Sequence, residues 1–522
     1  MFKMKRIVAS VLSLAMALGM TLAASAEEGV TPVKPSDADK AIASVSHVEK
    51  EATVKAYQIV EAEYNEYGFV RYAEVEGVQS LDLGNATQPT SDEVAAIVKN
   101  DLANLDCEEM SITATTANGL ATFSAELAPG YWIVLVNGAV KIYNPMLVGV
   151  YYSVSGSENT MATENVNATT DWKLVADEAW GKSALPTIDK SIVNSDGNTN
   201  GNDVAVGDTV EFKIDTVIPS YSAAYEEVIV TITDELSAGL ALNEDSIEIT
   251  IGGDEFTPAE GKLTTTAAGF TLDLSDVALE NSGEAVVINY TATVDTDFAY
   301  NFAENTNEAT LTYTNNPTDK SSVTPIKDKT YTYTFGIDGL LNGENSEITK
   351  ELFKVNENGD VEVVENEVVV TNPLKGATFK LTNDVTGDEY EATSVEDGSL
   401  TFTGLDCGTY TLIETAAPAG YSVNEEEHEV VISATYNEDG TLATYTITID
   451  NEATSTYEDT ATGEAKNIVK NTIGSTGIVN TKLIALPGTG GIGTTIFTVV
   501  GCAVMVGAAF LFFMNRKKEE SK

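Results

Sequence analysis

Histidine and cysteine are scarce in this 522-residue chain, which holds two histidines and three cysteines. Cys107 and Cys407 are far apart in sequence and Cys502 lies in an apolar stretch, so a disulfide framework is not expected. His47 and His428 lie in polar, acidic stretches without the spacing of a metal site or a catalytic triad, and His428 is expected to be solvated. These absences argue against an enzyme, a metal site and a cofactor.

Positive charge is also scarce, because 29 basic residues face 80 acidic ones and the net charge is −51. Such a chain repels nucleic acid and anionic lipid, which excludes both as expected partners. Hydrophobic residues make up 43% of the chain and aromatic residues 8%, enough to build folded cores. The length suggests three or four domains.

The chain begins with the pattern of a secretory signal. Lys3, Lys5 and Arg6 precede the apolar run IVASVLSLAMALGMTLA, which ends in the small-residue site ASA. Cleavage there would leave Glu27 as the first residue of the exported protein, so residues 1–26 are predicted to be a signal peptide.

The C-terminal end contains an apolar segment from Ile496 to Met514 that carries no charge. As a helix it would be about 28 Å long, close to the hydrocarbon thickness of a bilayer. Arg516, Lys517 and Lys518 follow it and should stay cytoplasmic. A membrane span is therefore predicted, but a simple anchor leaves the preceding LPGTG unexplained.

Most of the remaining chain alternates apolar or β-branched residues with polar ones, which predicts strands. Examples are VEFKID (210–215), EVIVTITD (227–234) and TYTITID (444–450). One segment, SDEVAAIVKNDLANL (91–105), predicts a helix that Ser91 can cap. Its inward face is predicted to contain Val94, Ile97, Val98 and Leu102. The predicted fold class is mainly β, in antiparallel sandwiches.

The order of LPGTG, apolar segment and basic tail resembles the wall-sorting signal of Gram-positive surface proteins. The resemblance implies that a membrane sortase cuts between Thr and Gly, holds the Thr carbonyl as a thioester, and passes it to an amine. The membrane segment would hold the substrate only until cleavage. The residues of the implied recognition and cleavage site are Leu486, Pro487, Gly488, Thr489 and Gly490.

NPLKGATFKL (372–381) and LIETAAPAGY (412–421) resemble the collagen-adhesin B-type domains of surface proteins and pilins. The resemblance implies an intramolecular isopeptide bond in which Glu414 assists as the acid. Such chemistry needs a neutral buried lysine, a nearby asparagine and a protonated carboxyl, and burial favours these neutral forms. The alternative is that Glu414 is a solvated strand residue.

The resemblance places the reacting lysine on the first strand of this domain and the asparagine on the last strand. Lys354 in ELFKVNENG and Asn480 in GIVNTKL match those places. Lys350 and Asn451 are the second choices.

The preceding region resembles the middle domain of Gram-positive fimbrial subunits, with Ig-like architecture. Its matching segments are PTIDKSI (186–192), VGDTVEFKI (206–214), TITDELSAGL (231–240) and NTNEATLTYTNNP (305–317). The resemblance implies that Lys190 is the amine, that Asp234 is the acid, and that Asn315 or Asn307 is the acceptor. Asn315 gives a loop of nearly the same length as Lys354 to Asn480. The alternative is that these are ordinary surface residues, with Asp234 in a turn.

VKAYQIV (54–60) and LAPGYWIVLV (127–136) resemble the N-terminal domain of the same pilins. In that family a lysine after this domain receives the next subunit. Lys182 stands there, in Trp-Gly-Lys instead of the usual Tyr-Pro-Lys. Lys173 competes for the role, and an ordinary linker lysine is the alternative.

These features predict a sortase-assembled pilin with domains at 27–183, 184–328 and 329–484, followed by the sorting region at 485–522. The predicted function is a wall-anchored shaft subunit with sortase, other copies of itself, minor pilins and peptidoglycan as partners, and host surface ligands as further candidates. A monomeric wall-anchored adhesin or a basal or minor pilin is the second hypothesis. The two differ in whether the lysine after the first domain is used.

Overall fold

The computed structural model describes residues 33–83, 88–157, 159–195, 197–299, 304–343, 352–355, 361–365, 372–462, 465–472 and 478–480. The predicted signal peptide, the LPGTG motif and the predicted membrane span lie outside these ranges. Within them, no helix has both the length and the apolar character to cross a bilayer.

The first group of strands forms a ten-stranded sheet and a two-stranded sheet. The main path of the larger sheet runs β10-β8-β6-β2-β4-β5-β1-β11, with β3 joined to β2 and to β9. All these pairs are antiparallel except β1 with β11. The strands are β1 Ala41–Glu49, β2 Thr53–Asn65, β3 Gly68–Glu74, β4 Cys107–Thr115, β5 Leu120–Leu127, β6 Gly130–Asn137, β7 Ile142–Tyr143, β8 Met146–Val154, β9 Val166–Asn167, β10 Trp172–Ala176, β11 Glu178–Trp180 and β12 Ser183–Ala184.

The predicted helix is present as α1, Ser91–Asn100, followed by a 3₁₀ turn at Leu102–Asn104. Its cap is Thr90, so the expectation that Ser91 caps the helix is wrong. The Thr90 hydroxyl accepts a hydrogen bond from the Glu93 backbone N–H, and the Glu93 carboxylate accepts one from the Thr90 N–H. This reciprocal pairing needs a carboxylate three residues after the cap, and Thr90 has that spacing. The inward face is buried as predicted at Val94, Ile97, Val98 and Leu102.

The second group of strands forms two sheets that enclose one apolar core, which is the arrangement of a β-sandwich. One sheet runs β14-β13-β16-β23-β19-β20, with β18 on β23, and the other runs β15-β25-β24-β17-β22-β21. A 3₁₀ turn spans Glu244–Ser246. The strands are β13 Ile188–Asn194, β14 Gly197–Thr199, β15 Gly201–Asp203, β16 Thr209–Val217, β17 Val230–Leu236, β18 Leu240–Leu242, β19 Glu248–Ile251, β20 Asp254–Glu255, β21 Leu263–Thr266, β22 Gly269–Asp273, β23 Ala285–Val294, β24 Asn305–Thr314 and β25 Val323–Tyr333.

The third group forms a three-stranded sheet, β31-β26-β37, and a nine-stranded sheet, β28-β27-β36-β35-β34-β33-β32-β29-β30. A second apolar core lies among these strands and includes Tyr331 and Tyr333 at the end of β25. The strands are β26 Phe335–Gly343, β27 Leu352–Val355, β28 Val361–Glu365, β29 Thr378–Asn383, β30 Glu389–Thr393, β31 Ser399–Leu405, β32 Gly408–Ala416, β33 His428–Tyr436, β34 Leu442–Ile449, β35 Glu452–Thr462, β36 Ala465–Thr472 and β37 Ile478–Asn480.

The mainly β fold class is therefore confirmed. The expected boundary at 183/184 falls within β12, and the one at 328/329 falls within β25. Strand β25 thus pairs in the second group while its last residues pack in the third core.

Candidate functional site

A buried lysine lies in the core of the second sandwich. Lys190, on β13, has no exposed surface. Its Nζ donates hydrogen bonds to Asp234 Oδ2 and to the Tyr290 hydroxyl. Its backbone N–H donates to Asp328 Oδ2 at 2.7 Å, which fixes β13 against β25. Burial of an amine at this depth is costly unless it is paired, and both contacts of the amine come from other strands.

The alternation of each strand explains how the candidate residues meet. On β17, Val230, Ile232, Asp234 and Leu236 face inward. On β24 the inward residues include Asn305, Asn307 and Ala309. Asp234 is opposite Ala309 and Leu236 is opposite Asn307, so Asp234 and Asn307 are diagonal neighbours on one face.

Glycine is needed beside the acid. Gly269, on β22, pairs with the residue after Asp234 and has a φ of 137°. A Cβ at this position would lie 1.9 Å from the Asp234 carbonyl oxygen. Any other residue would push β22 away from β17, so this glycine keeps the strand that carries Asp234 in place.

Tyr290 joins the three predicted residues, and the sequence did not identify it. Its hydroxyl donates to Asp234 Oδ1 at 2.6 Å and accepts from Asn307 Nδ2 at 2.8 Å, in addition to the contact with Lys190. Its ring stacks on Phe212 at 5.5 Å between centroids. The signal that could have found it is its inward position in the alternating segment AVVINYTATV of β23.

The surroundings of Lys190 favour a neutral amine. Burial lowers the pKa of Lys190 below its ordinary value of 10.5, although the opposing charge of Asp234 acts in the other direction. Burial also raises the pKa of Tyr290 well above its ordinary value, so its hydroxyl keeps its proton. Lys190 Nζ lies 5.2 Å from the centroid of the Phe212 ring, inside this apolar setting.

The arrangement has the components of an amide condensation. A neutral Lys190 amine is a nucleophile, the Asn307 carboxamide is an acyl donor, and Asp234 Oδ2, in contact with Nζ, is positioned to take the lysine proton. All three side chains are at most 1% exposed, which excludes the water that would compete as a nucleophile. The structure brings together Lys190, Asp234 and Asn307, three of the four residues predicted here.

Asn315, the other predicted acceptor, lies elsewhere. It follows the last residue of β24, eight residues beyond Asn307, which is roughly 27 Å along a strand. Its Nδ2 donates to the Ala139 carbonyl oxygen and to Thr324 Oγ1, at 2.5 and 2.7 Å. It therefore joins the second sandwich to the first group of strands and does not contact Lys190.

We expect the double variant Asn307→Ala/Asp234→Asn, which has neither an acyl donor nor a carboxyl to keep the lysine proton, to become more stable as the pH rises from the lowered folded pKa of Lys190 towards its ordinary value of 10.5. Between the lowered folded pKa of Lys190 and its ordinary value, the unfolded chain binds a proton that the folded chain has lost. The free energy of unfolding must then increase with pH across that window. Chemical denaturation at several pH values measures the slope.

The matched control adds Lys190→Met to the same variant, which removes the titrating amine. We expect the slope to shrink in this control. An equal slope in the two proteins would show that Lys190 does not titrate in the window.

The site predicted in the third group is only partly assembled by its strands. Glu414, on β32, is 3% exposed, so it is not a solvated residue, and its Oε2 accepts a hydrogen bond from the Asn424 N–H at 2.6 Å. Lys354 lies on β27, which four other strands separate from β32, a distance of roughly 24 Å at sheet spacing. Asn480 lies on β37 in the other sheet.

The strand beside Asn480 is β26, which pairs with it in parallel through Gly343. Its sequence, FGIDGLLNG, supplies no lysine. Of the second choices, Asn451 is exposed in the turn after β34, with a φ of 66°, and Lys350 lies outside the described residues. The bond in this region stays a prediction based on the motif resemblance.

His428 is not the solvated residue that its acidic neighbours suggested. It is 6% exposed at the start of β33, and its Nδ1 lies 2.7 Å from Asp450 Oδ2. Asp450 stands in the same turn as Asn451 and also accepts from the Glu429 N–H at 3.1 Å. The expectation failed because the alternation that placed His428 at an inward position outweighed its polar neighbours.

Lys182 lies at the junction of the first and second groups of strands, with an exposed side chain. Its backbone is held on both sides. The Gly181 N–H donates to the Ser46 carbonyl at 2.8 Å, and the Asn144 N–H donates to the Lys182 carbonyl at 3.2 Å. Lys173 is also exposed, but it lies within the edge strand β10, paired with Ser153.

Parts of the chain match three family models. Residues 38–183 match the T6 antigen Ig-like domain, residues 359–452 match the SpaA prealbumin-like fold domain, and residues 478–521 match the LPXTG cell wall anchor motif. The last match confirms the predicted sorting signal and the predicted location at the cell wall.

Similar proteins are known along most of the length. The chain is 27% identical to the trypsin-resistant surface T6 protein of Streptococcus pyogenes serotype M6, over 92% of this chain and 95% of that protein. The solved T6 backbone pilin of serotype M6 Streptococcus pyogenes superposes with a TM-score of 0.61 at 23% identity, over 86% of this chain and all of that one. The major pilin SpaA of Corynebacterium diphtheriae gives a TM-score of 0.45 at 14% identity, over 77% of this chain and 97% of that one.

Proposed function

We propose that this chain, a sortase-assembled pilin of the Gram-positive kind, is the subunit that repeats along the shaft of a surface pilus. The observation that carries the proposal is the order of the matched parts. An Ig-like domain of the T6 antigen type comes first, a prealbumin-like domain follows, and an LPXTG anchor closes the chain. The related T6 protein has a solved structure described as a backbone pilin, and similarity to it spans nearly the whole chain.

Polymerisation needs one acyl donor and one amine in each copy. The donor is the carbonyl of Thr489, which sortase releases from Gly490 and holds as a thioester. The amine is Lys182, because its side chain is exposed at the end of the first group of strands while its backbone is fixed. Each copy then presents one donor and one acceptor at different places, and such a head-to-tail contact does not close, so a filament results.

The second sandwich carries an internal staple between Lys190 and Asn307. The bond would connect β13 of one sheet to β24 of the other. Along the chain these are the first and the next-to-last strands of the second group. A pulling force along the filament would then pass through a covalent bridge and not through the hydrogen bonds between strands. Such a staple suits a chain that has almost no cysteine.

The test is an immunoblot of cell-wall extract boiled in detergent, probed with antibody against this chain. A shaft subunit gives a ladder whose rungs differ by one mature chain. A Thr489→Ala variant, which keeps the backbone carbonyl but loses the threonine side chain of the sorting motif, is expected to give no ladder and to be lost from the wall fraction.

The second hypothesis predicts a different pattern. A wall-anchored adhesin joined as a monomer gives one band, shifted only by attached peptidoglycan fragments. A minor or basal pilin gives a ladder that persists, detected with antibody against another subunit, when the gene for this chain is deleted. Either pattern would overturn the shaft proposal.

A further inference from the structure

Tyr290 has a position that packing alone does not explain. Its ring packs between Phe212 and Phe270, at 5.5 and 5.3 Å between centroids, as expected for a core tyrosine. Its hydroxyl, however, contacts polar atoms of all three predicted reacting residues. A phenylalanine would fill the same volume without placing a polar group in the core.

The contacts of Asn307 are what distinguish Tyr290 from Asp234. Among the described residues, Asn307 Nδ2 donates one hydrogen bond, to the Tyr290 hydroxyl. Asn307 Oδ1 has no hydrogen-bond partner there. Asp234 touches Lys190 Nζ and the Tyr290 hydroxyl, but no contact joins it to Nδ2. Nδ2 is the atom that must leave as ammonia, and Tyr290 is the group placed between it and the attacking amine.

We propose that Tyr290 is a catalytic residue of the Lys190–Asn307 condensation and carries a proton from the attacking nitrogen to the leaving nitrogen. This inference rests on the staple included in the proposed function and adds a residue to its chemistry. Hydroxyl groups act as both donor and acceptor and can rotate between partners, which such a transfer requires.

The step balances without any further reactant. The lone pair of neutral Lys190 Nζ forms a bond to Asn307 Cγ, and the carbonyl electron pair moves to Oδ1. One proton of Nζ passes to the Tyr290 oxygen while the Tyr290 hydroxyl proton passes to Nδ2. The Cγ–Nδ2 bond then breaks, its electron pair leaves on ammonia, the Cγ–Oδ1 double bond re-forms, and Tyr290 is restored.

Asp234 keeps a separate role. Asp234 takes the proton of the lysine ammonium through Oδ2, which leaves the amine neutral. Its Oδ1 also fixes the position of the Tyr290 hydroxyl. Because burial keeps the tyrosine protonated, the hydroxyl has a proton to give when the amide nitrogen becomes basic.

The experiment follows closure of the bond in the full chain with Tyr290→Phe. Samples are taken at intervals after a pulse of synthesis and digested. The linked peptide pair carrying Lys190 and Asn307, lighter by one ammonia than the sum of its parts, is then quantified by mass spectrometry. We expect closure about a hundredfold slower than in the wild type, which is in the range of a single general acid–base group.

Tyr313→Phe is the matched control, because Tyr313 is fully buried in the same core and its hydroxyl bonds to the Val140 carbonyl, away from Lys190. It should close at the wild-type rate. Circular dichroism of both variants before closure checks that each is folded, since a purely structural effect would change folding and not only the rate of closure.

The outcomes distinguish the bond between Lys190 and Asn307 from the role of Tyr290 in forming it. A wild-type chain that never yields the linked peptide would overturn the staple and this inference together. A wild-type chain that closes, with Tyr290→Phe closing as fast as Tyr313→Phe, would overturn the role of the tyrosine and leave the staple standing.

Discussion

Replacing Lys182 by alanine is expected to abolish the ladder of covalent polymers and leave this chain in the wall extract as single subunits. The thioester at Thr489 would still form, but the amine that receives it would be missing. Cell-wall amines would then take the acyl group, so the protein should remain on the wall. The measurement is the boiled-extract immunoblot, with wild type and variant loaded at equal amounts.

Two further variants make this result specific. Lys182→Arg keeps the positive charge but stays protonated at any relevant pH, so it should also give no ladder. Lys173→Ala removes the other exposed lysine of this region, whose strand pairing with Ser153 needs only its backbone, and it should keep a normal ladder. A ladder that survives in Lys182→Ala and is lost in Lys173→Ala would transfer the role to Lys173.

In the second sandwich the resemblance to fimbrial middle domains identified the candidate residues, and the strand alternation agrees with their burial. Lys190, Asp234 and Asn307 each stand at an inward position, and the structure confirms that all three are buried. Alternation could not choose between Asn307 and Asn315, because a period of two gives both the same face. The comparison of loop lengths favoured Asn315, but that residue extends beyond β24 and bonds to Ala139.

Other parts of the site could not be read from the sequence because they depend on how strands pair. Tyr290 looks like any core tyrosine until the register of β16 with β23 places it opposite Phe212 and above the amine. Lys354 matched a motif start, yet sheet order separates β27 from β32. Local motifs identify candidate residues, whereas the distances between those residues depend on the order of strands in the sheets. A single sequence does not reveal that order.

The backbone around Lys182, at the junction of the first and second groups of strands, also could not be predicted from the sequence. The sequence predicted an exposed lysine in a linker, and Lys182 is exposed, but its backbone is not a free linker. Ser183 pairs with Tyr143, and a Cβ on Gly181 would lie 3.0 Å from the His47 carbonyl oxygen. An acceptor lysine on a fixed backbone presents its amine in a narrow range of positions, which lowers the entropy lost when an enzyme engages it.

Removing the internal bond with Asn307→Ala is expected to lower the free energy of unfolding strongly. The loop from Lys190 to Asn307 is longer than a hundred residues. By the chain-entropy model for cross-links, opening such a loop costs roughly 4–5 kcal/mol of unfolding free energy. Lys190→Ala should cost about 1–3 kcal/mol more, because it also removes the hydrogen bond between the lysine nitrogen and the buried Asp234.

Asn315→Ala is the control for this comparison. Asn315 is also buried, and it lies an even number of residues after Asn307. It loses the hydrogen bonds to Ala139 and Thr324, a cost of about 1–3 kcal/mol, and should still show the loss of one ammonia by mass. Calorimetry with mass spectrometry on the same samples measures both quantities. If Asn315→Ala abolished the mass change and Asn307→Ala kept it, the acceptor would be Asn315. The contact between Tyr290 and Asn307 would then be packing without chemistry.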